Sequence, residues 1–467
     1  MTTAHAVPAA PPRPAPGAPR PYHFPATERF ALPNGLRVLV APVTKLPLVT
    51  VLAVIDAGAA ADPAGQEGVA QLTASLLTEG AGSLDGAALA DVLETMGTAL
   101  DAHADWDVAV ARLTTLAPRL TDALGMLGMV LRTPRFPADE FARLRDERLA
   151  SLLQQRSEPR SLASEAFDQR IFDAGARYAA PDGGSVRSVQ GLTEDAVRAF
   201  HAARYTPAAT TLIVSGDVTV EQVHDLVVRT FGDWAGAAPA AIVAPDTPSA
   251  SGRAVTIVAK PGAPQTELRV GHAGPTRATP DYFALLLGNA VLGGLFGSRL
   301  NLNLREKHGY TYGAHSGFDW RRHRAPFVMD AAVQSEVTGA AVTEMLAEFA
   351  AIRESLVSEA ELTLARDYLD GVFPIRFETT RAIAGALSSL VTFGLPDDYF
   401  DTYRANVRAV SAESIRSAMA AHLDPSRLQV VAVGDPAVIA EPLAALGHGA
   451  VTVLEPEQVL GGGEGDA

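Results

Sequence analysis

The chain states one pattern twice, and this repetition limits what it can fold into more than any other feature. Leu192-Thr193-Glu194-Asp195-Ala196-Val197 is followed by Tyr205-Thr206-Pro207, then by Thr211-Leu212-Ile213-Val214-Ser215-Gly216-Asp217. Nearer the end, Val410-Ser411-Ala412-Glu413-Ser414-Ile415 is followed by Leu423-Asp424-Pro425, then by Leu428-Gln429-Val430-Val431-Ala432-Val433-Gly434-Asp435. Each copy reads as a helix with a hydroxyl N-cap, a proline turn, and a buried apolar strand closing on Gly-Asp. Thr193 and Ser411 are 218 positions apart, as are Gly216 and Gly434. A second pair of anchors, residues 137–141 leading into Arg145-Asp146 and residues 358–362 leading into Arg366-Asp367, is offset by 221, one short insertion away. Ordered agreement of both pairs points to a duplicated chain with two tandem homologous lobes.

Length supports the division, since 467 residues exceed the roughly 250–300 at which a single core stops growing. The boundaries follow from composition. Residues 1–26 read as a Pro/Ala-rich disordered tail, 27–234 as the first lobe, 235–252 as an Ala/Pro/Ser linker, 253–456 as the second lobe, and 457–467 as a flexible tail. Each lobe mixes amphipathic helices with alternating strands such as 107–116 and 327–334, an α+β pattern of antiparallel sheets covered by helices on one side.

Charge and composition then exclude whole classes of function. A net charge of −15 disfavours a phosphate-backbone partner. The longest basic run, Arg321-Arg322-His323-Arg324, reads as a solvated turn. Without cysteine there are no disulfides, thiolate nucleophiles or cysteine zinc sites. Residues 1–22 lack the basic-led apolar core of a signal peptide, and the apolar stretch 284–296 is broken by Gly and Asn and too short to span a bilayer. The expectation is a cytoplasmic protein with no nucleic-acid and no membrane partner.

Two segments could carry chemistry. One is Gly68-Val69-Ala70-Gln71-Leu72-Thr73-Ala74-Ser75, a helical run in which positions 71 and 75 share a face. The other runs from Leu292-Gly293-Gly294-Leu295-Phe296-Gly297-Ser298-Arg299-Leu300 through Asn301-Leu302-Asn303-Leu304-Arg305-Glu306-Lys307-His308-Gly309 to Tyr310-Thr311-Tyr312. It reads as a glycine loop, a short helix capped by Ser298 with leucines inward, a left-handed terminator at Gly309, and a stretch of strand character. No Lys follows the glycines, so a phosphate loop is disfavoured. Taken by themselves, Arg305 would be the solvated end of a helix and Tyr312 an ordinary strand aromatic.

These features together resemble the M16 (pitrilysin/insulinase) metallopeptidases, the family of mitochondrial processing peptidase. Leu32-Pro33-Asn34-Gly35-Leu36-Arg37-Val38 is similar to its first strand and turn, Gly68 and Gly80 to glycines of its zinc-helix segment, and Tyr205, Pro207 and Gly216-Asp217 to the end of its first lobe. The likeness covers about residues 27–455. It implies a His-x-x-Glu-His where this chain has Gln71, Ala74 and Ser75, and a glutamate ligand some 76 residues further on, eight before a proline, where this chain has Ser151 ahead of Pro159. All three ligands and the general base are replaced. Other histidines (His103 among Asp101, Asp105 and Asp107; His308, His315, His323) show no metal-ligand spacing.

The resemblance also implies that Arg305 and Tyr312, seven apart, lie across a chamber from zinc. Tyr312 would donate to the oxyanion formed at a peptide carbonyl and Arg305 would hold the peptide, with Tyr310 a weaker candidate. Gly293, Gly294 and Gly297 would help guide substrate. The expected protein is the non-catalytic subunit of a heterodimer, acting on peptides or unfolded polypeptides beside a partner that carries His-x-x-Glu-His and the zinc. This chain would hold no cofactor, and a homodimer is open when the mate is missing. The competing reading is a purely structural or peptide-binding scaffold. A self-sufficient enzyme of another type is disfavoured by the absence of cysteine and of a Gly-x-Ser-x-Gly elbow.

Overall fold

The computed structural model describes residues 17, 21–155, 157–242, 252–324 and 326–460. Fourteen strands occur among them. Those of the first lobe are β1 (Glu28–Ala31), β2 (Arg37–Pro42), β3 (Leu48–Ile55), β4 (Gly80–Ala81), β5 (Leu84–Asp85), β6 (Leu100–Ala104), β7 (Ala109–Leu116) and β8 (Thr210–Gly216). Those of the second are β9 (Ala254–Ala259), β10 (Gln265–Ala273), β11 (Ala314–Phe318), β12 (Pro326–Gln334), β13 (Gln429–Gly434) and β14 (Ala450–Leu454).

The duplication is written into the sheets. The first has the order β1-β2-β8-β3-β7-β6 and the second, read from its opposite edge, β14-β9-β13-β10-β12-β11. The two match strand for strand, including one parallel pair (β2 with β8, β9 with β13) inside otherwise antiparallel ladders. They differ at one edge. The N-terminal β1 runs antiparallel to β2, whereas the C-terminal β14 runs parallel to β9.

Helices cover both faces of each sheet, not one as the alternation suggested. The central strands show why: β8 is buried throughout and β3 everywhere but its first residue, as continuous apolar strands are when both faces are covered. The second cover comes from the other lobe. Leu162, Ala166 and Phe167 of the helix Pro159–Ile171 share a core with Val258, Val431 and Val433 of the second sheet. Reciprocally, Ile383, Leu387 and Leu390 of the helix Thr380–Phe393 share a core with Leu52, Val54 and Ile213 of the first. The two helices occupy equivalent places in the repeat, so the lobes exchange corresponding elements. Each fully buried side chain there contributes about 1.5–3 kcal/mol. At the seam, the hydroxyls of Thr50 and Thr380 lie 2.9 Å apart, and Arg322 pairs with Asp56.

Both tails are shorter than composition implies. Tyr22 packs on Phe373 and Phe377, and Phe24 on Phe377 and Phe400, since aromatic rings next to an apolar cluster leave water readily. At the other end a helix spans Pro456–Leu460, with Val459 buried and its carbonyl accepting from Gln169 Nε2 at 2.7 Å. The remainder of the expected tails (1–16, 18–20 and 461–467) and linker residues 243–251 lie outside the described residues. Among the described residues no helix is long and apolar enough to cross a membrane.

Candidate functional site

Residues 71, 74 and 75 lie on the helix Val69–Leu76. Gly68 precedes it with φ 100°, a left-handed turn that suits glycine, and Asp62 holds its start: Oδ2 accepts from Gly68 N at 2.7 Å and Oδ1 from Ala70 N at 3.0 Å. Asp62 is buried, and burial pushes its pKa up to about 6 even though Arg177, at 2.9 Å, and these amides favour its charge. Arg177 in turn donates to the carbonyls of Ala59, Ala180, Pro181 and Asp182, which ties the helix start to the turn that ends at Gly184.

The helix Ala138–Gln155 supplies the opposite wall, with Leu144, Glu147, Arg148 and Ser151 along one face. Between the walls lies a cavity of about 230 Å³, lined also by Gln71, Leu72, Ser75, Gly183, Val189 and Leu192. Residues 71, 75 and 151, separated by as many as 80 positions, therefore meet at one opening. Ala74 is fully buried in the core and does not line it.

Zinc is the ion the resemblance implies, and these residues do not fit it. One carboxamide and two hydroxyls replace the imidazoles and carboxylate that zinc takes. Among the described residues no group of three or more His, Cys, Asp and Glu is placed to hold a metal ion.

Sequence reasoning missed Arg148, although it lies one turn before Ser151. Its Nε donates to Gly183 O at 3.0 Å, and this is its one hydrogen bond among the described residues. A Cβ on Gly183 would collide with both the Arg148 guanidinium and the Gln71 carboxamide, so glycine there lets the two side chains converge. Burial lowers the Arg148 pKa, an effect opposed by the charges of Asp182 and Glu165.

The second-lobe segment departs from its expected form. Residues 301–307 make a π-helical turn, with His308 N bonded to Asn303 O five residues back, and a second such turn spans residues 290–294. Turns of this kind recur at functional sites. Leu300 and Leu304 are buried but Leu302 is exposed, and the Ser298 hydroxyl is buried without a partner instead of capping the helix. Gly309 has the expected left-handed φ of 66°. Tyr310, Thr311 and Tyr312 are not strand. Thr311 Oγ1 donates to Gly313 O at 2.8 Å and accepts from Gly313 N at 3.1 Å, a local turn that delays β11 to Ala314.

That turn leaves Tyr312 93 % exposed. Arg305 lies over the ring of Phe296 at 4.5 Å and pairs with Glu306 at 3.5 Å, while Phe296 itself is 73 % exposed at the loop tip. Of the three glycines, Gly293 and Gly294 are packing positions. A Cβ on Gly293 would collide with Ser316 of β11, and one on Gly294 would crowd Asn289. Gly297 lies beside Phe296 at the tip, with only Leu364 near. The loop is anchored by Arg299, whose Nε and Nη2 reach the Glu361 carboxylate at 2.6 and 3.0 Å. Neither Arg305 nor Tyr312 lines the Gln71–Ser151 cavity.

Comparison with known proteins agrees with this anatomy. The model of the insulinase family, peptidase family M16, matches residues 37–177, and that of the peptidase M16 inactive domain matches residues 191–369. The chain is similar to an uncharacterized zinc protease of Mycobacterium tuberculosis, 24 % identical over 414 residues that cover 88 % of this chain and 93 % of that one. It is similar also to a non-peptidase homologue of Helicobacter pylori, 23 % identical over 399 residues (84 % and 90 %), and to a probable mitochondrial-processing peptidase subunit beta of Arabidopsis thaliana, 21 % identical over 435 residues (88 % and 78 %). A crystal structure of a peptidase M16 inactive domain from Pseudomonas fluorescens superposes with a TM-score of 0.82 at 28 % identity, covering 88 % of this chain and 98 % of that one. The chain belongs to the M16, or insulinase, peptidase family.

Proposed function

We propose that this chain is the non-catalytic subunit of a two-chain M16 peptidase. It holds no zinc, and it offers Arg305 and Tyr312 to a partner that carries His-x-x-Glu-His and hydrolyses peptides. The observation that carries the reading is the contrast between the two sites. The cavity lined by Gln71, Ser75 and Ser151 carries none of the donors that zinc takes, while Tyr312 projects into solvent from its turn and Arg305 lies over the exposed ring of Phe296. A phenol so exposed has no role in this chain's core, and it is free to meet a second chain. The relatives bear on the same point, since one is named a non-peptidase homologue and another a peptidase subunit.

In this arrangement the partner's His-x-x-Glu-His would hold a zinc ion, whose chemistry when bound would be to activate the attacking water. Tyr312 donates its O–H to the developing oxyanion, and Arg305, a rigid and permanently charged fork, holds the peptide backbone or a carboxylate. Removing one donor of this kind lowers kcat by about 10²–10³. Mixed with an M16 chain that carries His-x-x-Glu-His, the wild-type protein is expected to support peptide cleavage. Tyr312→Phe should lower kcat about a hundredfold with complex formation intact by size-exclusion chromatography. Undiminished cleavage by that variant would favour the scaffold reading, and one zinc per chain in the purified protein would end the non-catalytic one.

A further inference from the structure

The first-lobe cavity has lost its metal donors but kept a positive charge. Arg148 lines the opening among neutral Gln71, Ser75 and Ser151, and the one carboxylate of the lining, Glu147, is paired with Arg143 at 3.3 Å. The Arg148 guanidinium is half-buried, and no carboxylate lies within ion-pair distance of it among the described residues. Its Nη groups donate to no protein acceptor there, although the side chain lines the opening. A charge held partly out of water, with Asp182 and Glu165 acting on it only from beyond ion-pair distance, favours an anionic guest, and a guanidinium matches a carboxylate with two parallel bonds. Gln71, Ser75 and Ser151 add further donors around the same space. Leu72, Leu144, Val189 and Leu192 add an apolar part to the wall.

We infer that this cavity is a carboxylate-binding site in which Arg148 stands where the zinc would be and holds the C-terminal carboxylate of a peptide whose last side chain is aliphatic. The volume, about 230 Å³, suits one terminal residue and not a folded partner. The inference rests on the reading of the cavity as a former zinc site, but not on any role of Tyr312. A carboxylate so bound lies on the non-hydrolysing side of the chamber, so the site would retain a peptide end without cutting it.

Isothermal titration of the full chain, with no partner present, tests this. The probes are acetyl-Ala-Ala-Leu with a free carboxyl terminus, its C-terminal amide, and acetyl-Ala-Glu-Leu amide, which carries only a side-chain carboxylate. The free acid is expected to bind about tenfold to a hundredfold more tightly than either amide, the range for a hydrogen-bonded charged contact. Arg148→Gln should remove that preference. Ser151→Asp should do so as well, because it keeps the Arg148 bond to Gly183 and sets a competing carboxylate one helical turn away, and both variants should keep the wild-type melting temperature to within a few degrees. Equal binding of the free acid and its plain amide would overturn the inference, as would wild-type affinity in both variants. Equal binding of the glutamate-bearing amide would overturn the assignment to a chain terminus. Tyr312→Phe should leave this binding unchanged, so failure here and failure of the subunit reading are separate results.

Discussion

The two lobes are built on one plan and have diverged in opposite ways. In the first, Gln71, Ser75 and Ser151 meet at one cavity beside a guanidinium. In the second, Tyr312 is exposed and Arg305 lies over Phe296 on an irregular frame, with two π-helical turns flanking the loop that carries Phe296 and Gly297. The difference teaches that the shape of a site and its reactive groups are held by separate parts of the sequence. Packed helices such as Ala138–Gln155 form the walls of the cavity. A short turn such as 311–313 keeps Tyr312 exposed whatever the core does.

The sharpest way to break the comparison is to ask whether the exchanged helices matter equally. Phe167→Ala, on the first-lobe helix that covers the second sheet, should cost about 3–5 kcal/mol, and Leu387→Ala, on its counterpart, about 2–5 kcal/mol. Because each helix is core for the other lobe, urea unfolding should remain one transition in both variants. Separate unfolding of the two lobes would show that the exchange is a contact and not a shared core.

A smaller effect sharpens the contrast at the metal site. Gln71→His, Ser75→His and Ser151→Glu together should restore zinc affinity, with Ala74 left alone because it is buried in the core. Adding Arg148→Ala should tighten zinc at least about tenfold further, since the guanidinium repels the ion. Titration in the presence of a competing chelator measures it, and equal affinities with and without Arg148 would show that this residue does not occupy the metal's place.

The smallest expected effect is a difference in response to acid. Burial pushes Asp107, in the first lobe near the seam, up to about 6 from its ordinary 3.8, with the Arg322 amide and charge opposing this. The folded state therefore takes up this proton first. Stability rises as pH falls through 6 toward 3.8, and the contribution is lost as pH rises through 6. At Glu361, in the second lobe, burial also opposes ionisation, but hydrogen bonds from Arg299 and Ser358 outweigh it and hold the carboxyl at about 2. Its contribution is present above 4.5 and lost as pH falls through 2. Asp107→Asn should flatten the stability curve between pH 4 and about 6, and Glu361→Gln that between pH 2 and about 4.5, as read from urea midpoints. Changes in slope of the same sign in the two variants, relative to the wild type, would contradict this.

Much of this was legible in residue order because it depends on local period. The duplication, the paired Gly-Asp strand ends at Gly216 and Gly434, and the apolar strands 210–216 and 429–434 follow from neighbours along the chain. The helical spacing of Gln71 and Ser75 and the counted distance to Ser151 named three residues that do line one cavity. The near-continuous apolar character of β3 could have signalled a sheet covered on both faces, but not that its second cover would come from residues 380–393.

What only the tertiary structure decided are matters of which partner a segment meets. Periodicity states that Leu387 and Phe167 face something apolar, and chain path alone states that the something is the other lobe. Arg148 reads as one more charge on an amphipathic helix until the turn at Gly183 brings Gln71 against it. Tyr310-Thr311-Tyr312 has strand propensity, yet one side-chain hydrogen bond from Thr311 outweighs it and leaves Tyr312 in solvent. Propensity and period act over a few residues, whereas a site is assembled from residues as far apart as Gln71 and Gly183. The order of residues thus determined two lobes and a helix at residues 69–76 without zinc donors, and the packing of distant segments determined that a guanidinium lines the cavity beside it.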